Sequence, residues 1–181
     1  MSARFSFVCL TIICLMVAPS RSWGQNRNTI EKRKLTRARR AARSLSLLAA
    51  NGGGRFLKDD LAEQSTPPLR EWVTQNQAAL VASGPSPFHS PMRWGVSTTQ
   101  GGKLYFHVTN WPINNKLIFP RLQNSVVSVR MLDPSATGTK SSGSASDKQA
   151  GLKLIPNVKT WEIELPKLRP TNGFPVLIEV T

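Results

Sequence analysis

Cysteine is nearly absent from this sequence: the 181 residues hold two, Cys9 and Cys14, both inside an apolar run near the N-terminus. A chain processed after that run has no disulfide, no reactive thiol and no cysteine metal site, and it must rely on a hydrophobic core. Histidine is as scarce. His89 and His107 alone are too few for a metal cluster, and neither a metal nor another cofactor is expected. No Asn-X-Ser/Thr sequon occurs, since Asn28, Asn110, Asn124 and Asn157 are followed two places later by Ile, Pro, Val and Lys. Long apolar stretches are confined to "FSFVCLTIICLMVA", residues 5–18. That is short of the about 20 residues a membrane-spanning helix needs. With Arg4 before it and "PSRSWG" behind it, the run reads as a signal peptide over 1–24, cleaved near Gly24, which predicts an exported chain, periplasmic or secreted.

Acidic residues are few as well: 10 against 24 Lys and Arg, for a net charge of +14. The excess is local. Arg27, Lys32, Arg33, Lys34, Arg37, Arg39, Arg40 and Arg43 stand against Glu31 alone, giving +7 over 27–43, whereas residues 44–181 carry only +5. A mildly basic body gives no reason to expect a specific nucleic-acid partner. Residues 25–50 read as a basic arm in which Ile30, Leu35, Ala38, Ala42, Leu45 and Leu48 recur at loosely helical spacing behind Thr29 as a cap. Two readings stand: a solvated extension, or weak contact of Arg33, Lys34, Arg37 and Arg40 with a polyanion or an anionic membrane surface.

"NGGGRF" at 51–56 breaks the pattern. No strand precedes the glycines and no Lys-Ser or Lys-Thr follows them, so a linker over 51–66 is the reading rather than a phosphate loop. Ser65 or Thr66 before Pro67 and Pro68 announces a helix from about Leu69 to Val81 within a segment 67–83. Its stripe of Leu69, Trp72, Val73 and Leu80 is either left exposed or buried against the arm, the sheet or a partner, because a helix this short is marginal in water by itself.

After the rigid "GPSPFHSP" of 84–91 the apolar period changes to two. Strands are predicted at 94–98, 103–111, 116–119, 126–132, 152–155, 160–165 and 176–180, separated by turn signals such as "QGG" and "PINN". The longest connection is the Ser/Gly/Thr-rich 134–151, where Asp133-Pro134 reads as a turn opening rather than a calcium ligand. The fold class is mainly β: a C-terminal antiparallel β-sandwich of about seven short strands over 84–181, preceded by one or two helices.

The ordered series "LREWVTQNQAAL", "SGPSPF", "RWGV", "KLYFHVTNWP", "KLIFPRLQN", "LKLIPNVKTWEIELP" and "PVLIEV" resembles the end of alpha-L-fucosidases of glycoside hydrolase family 29. The resemblance covers about residues 69–181. It implies that 67–83 is similar to the last helix of a barrel and 84–181 to the β-sandwich that follows. It also implies that the two catalytic carboxylates, a nucleophilic Asp and an acid/base residue, sit on the barrel. A barrel of that type takes about 250 residues, and only about 45 precede the helix once a leader is removed, so no catalytic position has a counterpart and none is assigned. The chain is expected to be inactive alone. It is either a free-standing structural or carbohydrate-contacting module, or a fragment or split part that works with a separate barrel-bearing chain.

The residues agree with that expectation. A retaining glycosidase needs carboxyls roughly 5 to 5.5 Å apart; Glu162 and Glu164, two apart on one strand, read as a charged outer face. His107 reads as a hydrogen-bonded packing residue. In 103–112, Leu104, Phe106 and Val108 should face the sandwich core, with Tyr105, His107 and Trp111 on the opposite side. Trp94, Tyr105, His107 and Trp111 are the candidate carbohydrate contacts if they line one surface; core or interface packing is the alternative.

Overall fold

A computed structural model describes residues 21–132 and 151–181, with side chains from Arg27 onward. The apolar run 5–18 with both cysteines, and most of the Asp133-Pro134 and Ser/Gly/Thr-rich connection, lie outside the described residues. The chain forms two compact units, residues 1–33 and 34–181. What is described of the first is the opening of α1 (Arg21–Ala50), whose side chains from Arg27 to Arg33 are exposed. The sandwich lies wholly within the second.

Before the strands come α1, a 3-10 turn at Gly53–Phe56, α2 (Leu61–Gln64), α3 (Pro67–Gln75) and α4 (Gln77–Leu80). Thr66 stands before Pro67 and Pro68 as the sequence predicts, its carbonyl accepting from the amides of Leu69 and Arg70 at 2.8 Å. The single helix expected to reach Val81 is split at Asn76. There the buried Nδ2 donates to Trp72 O at 2.8 Å, competing with the helical ladder, and the chain turns before resuming at Gln77.

Seven strands follow: β1 (Gly95–Gln100), β2 (Lys103–Val108), β3 (Lys116–Pro120), β4 (Val129–Met131), β5 (Lys153–Pro156), β6 (Thr160–Glu164) and β7 (Val176–Val180). They form two antiparallel sheets, ordered β1-β2-β7-β4 and β3-β6-β5. Gly101 and Gly102, both at positive φ, make the two-residue turn of the β1–β2 hairpin, a conformation glycine adopts without a Cβ penalty. Gly95 is required for another reason: a Cβ there would lie 2.0 Å from the carbonyl oxygen of His107.

The core between the sheets is aromatic. Trp94 meets Phe106 edge-on at 5.0 Å, Phe106 meets Phe119 at 4.8 Å, and Phe119 meets Trp161 at 6.4 Å. Trp94 also donates Nε1–H to Ile118 O at 2.9 Å, tying the first sheet to the second. Leu104, Val108, Leu117, Ile163, Val176 and Ile178 fill the space around these rings. Fully burying one such side chain is worth about 1.5–3 kcal/mol, so a core of this size stabilises the domain without disulfides.

The second core lies on the outer face of the four-stranded sheet. Tyr105 and Leu177 pack there with Ala38, Ala42 and Ala49 of α1, Leu69, Trp72 and Val73 of α3, and Ala79 and Leu80 of α4. The stripe of α3 is therefore buried with the helix that was read as an arm. From residue 34 onward that reading is corrected: Ala38, Ala42, Ser46 and Ala49 recur at three- and four-residue spacing and are all buried, while Leu48, placed on the apolar stripe by its spacing, is exposed. Small side chains let a helix lie close to a sheet, which is why an alanine-rich face, weak by hydropathy, is the one that docks.

Candidate functional site

His107 sits in the middle of this second interface, fully buried. Its Nε2 lies 2.9 Å from Thr98 Oγ1 and its Nδ1 3.0 Å from Ser46 Oγ. The proton positions follow from the donors available. Thr98 donates its single hydroxyl proton to Ala79 O at 2.9 Å, so toward His107 it accepts. Nε2 therefore carries the hydrogen and Nδ1 is a lone pair, which accepts from Ser46 Oγ. Burial holds the imidazole neutral, with its pKa lowered from 6.5 to about 3. A chain of three satisfied hydrogen bonds thus links α1, β2, β1 and α4. It positions elements and offers no base at neutral pH that reaches solvent.

Farther along the same sheet face lies Glu179, also buried. Its Oε1 accepts from Arg130 Nη2 at 2.8 Å, Arg130 Nε at 3.0 Å, Lys103 Nζ at 3.2 Å and Thr181 Oγ1 at 3.4 Å. Burial alone would raise this carboxyl, but Lys103 and Arg130 outweigh it and hold it below the usual carboxylate range. Tyr105, paired across the strands with Glu179, is pushed up to about 12, by burial first and then by the negative charge of that carboxylate. This is an ion-pair cluster with an ionised acid and no protonated partner carboxyl.

The four candidate carbohydrate contacts do not share a surface. Trp94 is buried between the sheets, Tyr105 and His107 are buried on the opposite side of the four-stranded sheet, and Trp111 packs partly buried against the inner core. The sequence reading put Trp111 on the outer side because it extended the strand to that residue. β2 ends at Val108 instead, where the amides of Thr109 and Asn110 both turn to Trp94 O at 2.9 Å and the alternation stops. Trp111 then donates Nε1–H to Asn115 Oδ1 at 3.0 Å, bracing the turn into β3.

Glu162 and Glu164 do lie together on the outer face of the three-stranded sheet. Glu162 bonds Lys116 Nζ at 3.1 Å and Asn157 Nδ2 at 2.9 Å, and Glu164 lies 3.8 Å from Lys153 Nζ. Each acid is neutralised by its own cation across a strand.

The concave feature of the sandwich was not anticipated from the aromatic residues. Where loop 87–92, the β1–β2 turn and loop 120–126 meet, a cleft of about 910 Å³ opens. Phe88, Met92, Leu122 and Val126 line it and pack against the inner core, while His89, Lys103, Arg121, Gln123 and Asn124 supply polar groups. That volume falls near the upper end of the usual range of about 300–1,000 Å³ for small-molecule sites. The signal in the sequence was the pair of turn-rich segments "GPSPFHSP" and "PRLQN".

Of the candidate polyanion contacts, Arg33 is exposed in the first unit, and Lys34, Arg37 and Arg40 are exposed in the second. Arg39, between them, points the other way: its Nε donates to Asn172 O at 2.7 Å, and the guanidinium lies against Gly173.

No family model matches this sequence, and no curated protein matches it. Solved structures do. The alpha-L-fucosidase of Vibrio sp. strain EJY3 aligns with a TM-score of 0.51 at 22% identity, over 62% of this chain and 19% of that enzyme. This chain has the fold of part of an alpha-L-fucosidase. Alpha-L-fucosidase isoenzyme 1 of Paenibacillus thiaminolyticus matches at 19% identity and TM-score 0.48, over 62% of this chain and 24% of that one. The family 29 fucosidase of Bacteroides thetaiotaomicron matches at 18% and 0.48, over 62% and 22%. The chain spans about a fifth of the length of the fucosidases it matches.

Proposed function

We propose that this chain is an exported, alpha-L-fucosidase-like sandwich module that does not cleave glycosides by itself and that contacts carbohydrate through the cleft between loops 87–92 and 120–126. The observation that carries the non-catalytic part is the state of its acids: Glu162, Glu164 and Glu179 are each bonded to lysine or arginine. A retaining glycosidase instead brings two carboxyls roughly 5 to 5.5 Å apart around a sugar, one of them held as an acid. The fold it shares with part of an alpha-L-fucosidase supports the sandwich part of this reading.

The outer face of the four-stranded sheet is covered by this chain's own α1, α3 and α4, which supports a module that buries this face by itself. The carbohydrate role is assigned to the cleft because Trp94, Tyr105 and His107 are occupied by packing, whereas Arg121, Gln123 and Asn124 are exposed around an apolar lining. The run 5–18 with its flanks supports export.

The test is a paired assay on the purified chain. Hydrolysis of an aryl alpha-L-fucoside should be indistinguishable from buffer, and a glycan array should give binding that Arg121→Ala with Asn124→Ala removes. Enzyme-like release of the aryl group would overturn the non-catalytic reading. Binding that survives the double substitution would overturn the cleft.

A further inference from the structure

We infer that the outward ridge at the end of α1 is a docking surface for an anionic lipid bilayer. Ala38, Ala42, Ser46 and Ala49 define the buried side of the helix, and the Ser46–His107 and Arg39–Asn172 hydrogen bonds fix its rotation. The opposite side is therefore set. Arg37 and Arg40, one turn apart, and Leu47, two turns beyond Arg40, project there, with Leu48 beside them. Leu47 and Leu48 are each 48% exposed, and Phe56 on the following 3-10 turn is 79% exposed. Leu48 lies directly over Gly53, where that turn begins, and Phe56 ends the same turn.

Charge complementarity selects an anionic partner, and the apolar residues select among anionic partners. A polyanion in water rewards the arginines but gains nothing from two leucines and a phenylalanine. A bilayer rewards both, since the apolar side chains enter the headgroup boundary while the guanidinium groups meet lipid phosphates. Among the described residues no helix is long and apolar enough to cross a membrane, so this surface lies on a bilayer and does not span it.

The experiment is co-sedimentation of the full chain with vesicles of phosphatidylcholine alone and of phosphatidylcholine containing phosphatidylglycerol. The readout is the extra binding to the anionic vesicles, which corrects for any affinity of the N-terminal apolar run for lipid in general. That increment should be present and should fall as salt rises. Arg37→Gln with Arg40→Gln should weaken it about thirtyfold, from roughly a fivefold factor per arginine at a charged surface. Leu47→Asn with Leu48→Asn should also weaken it, at unchanged charge. All four positions are exposed, and circular dichroism like that of the unsubstituted chain verifies that each variant is folded. The proposal is overturned by the absence of any increment. It is equally overturned if the asparagine variant keeps full vesicle binding while the glutamine variant loses it, the pattern of a site for soluble polyanions.

Discussion

His107 Nδ1 accepts a hydrogen bond from Ser46 Oγ at 3.0 Å, joining the end of β2 to the last turns of α1, 61 positions earlier. Both groups are buried, so neither can exchange its partner for water. Replacing Ser46 by Ala leaves the imidazole lone pair without a donor in a dry interface, a defect that costs about 1–3 kcal/mol. Chemical denaturation of Ser46→Ala should register a loss in that range; an unchanged midpoint would mean that α1 does not sit on the sheet in this way.

The same imidazole makes stability depend on pH. Its folded pKa is lowered to about 3 from an ordinary 6.5, so between those values the unfolded chain binds a proton that the folded chain refuses. The stabilisation is fully present above about 6.5 and is lost as pH falls toward about 3. Glu179, held below the ordinary 4.5 of a glutamate, adds its own loss only below that value. The interval from 6.5 to 4.5 therefore isolates His107 from Glu179. There, stability should fall with a slope approaching about 1.4 kcal/mol per pH unit, and His107→Gln should flatten it. Equal slopes in the two proteins would contradict the neutral, buried imidazole.

Tyr105 is the one tyrosine in the sequence, so tyrosinate absorbance reports it alone. The folded chain should titrate with a midpoint near 12, and the chain in denaturant near 10. Because the folded pKa is the higher, stability is present below about 10 and is lost as pH rises toward 12. Glu179→Gln removes the neighbouring negative charge and should move the folded midpoint down toward 10.

Trp72 carries the docking of α3. It donates Nε1–H to Pro175 O at 2.8 Å and stacks on Phe174 at a centroid distance of 6.2 Å, just before β7. Trp72→Phe should lose the hydrogen bond and leave a buried carbonyl unpaired, about 1–3 kcal/mol. Trp72→Ala should cost about 3–5 kcal/mol because the cavity adds to the lost contact. Denaturation midpoints of the two variants in that order verify it.

The strands were legible in the sequence because each announces itself by period two and is bounded by a turn signal. The Gly101–Gly102 hairpin and the Thr66-Pro67-Pro68 helix start are local devices that need no tertiary partner to be recognised. What escaped was decided at a distance. Asn76 ends a helix through its own side chain, Thr109 and Asn110 end β2 by turning to Trp94 O, and Trp111 is thereby moved to the other face. What stayed hidden in 34–50 was the docking of the helix: four arginines mark the segment as a basic arm, and the face that docks is made of alanines and one serine. The cleft, formed by three loops far apart in sequence, left no periodic trace.

The self-contained module and the lipid-facing ridge both depend on α1 being a fixed cover of the sheet from residue 34 onward, since it buries the sheet's outer face and aims Arg37, Arg40, Leu47 and Leu48 outward. Amide hydrogen exchange tests this most directly. The amides of Ala42, Ser46 and Ala49 should exchange as slowly as those of Phe106 and Leu177 beneath them. Exchange of those helix amides at the rate of an unstructured peptide, while Phe106 and Leu177 stay protected, would contradict it.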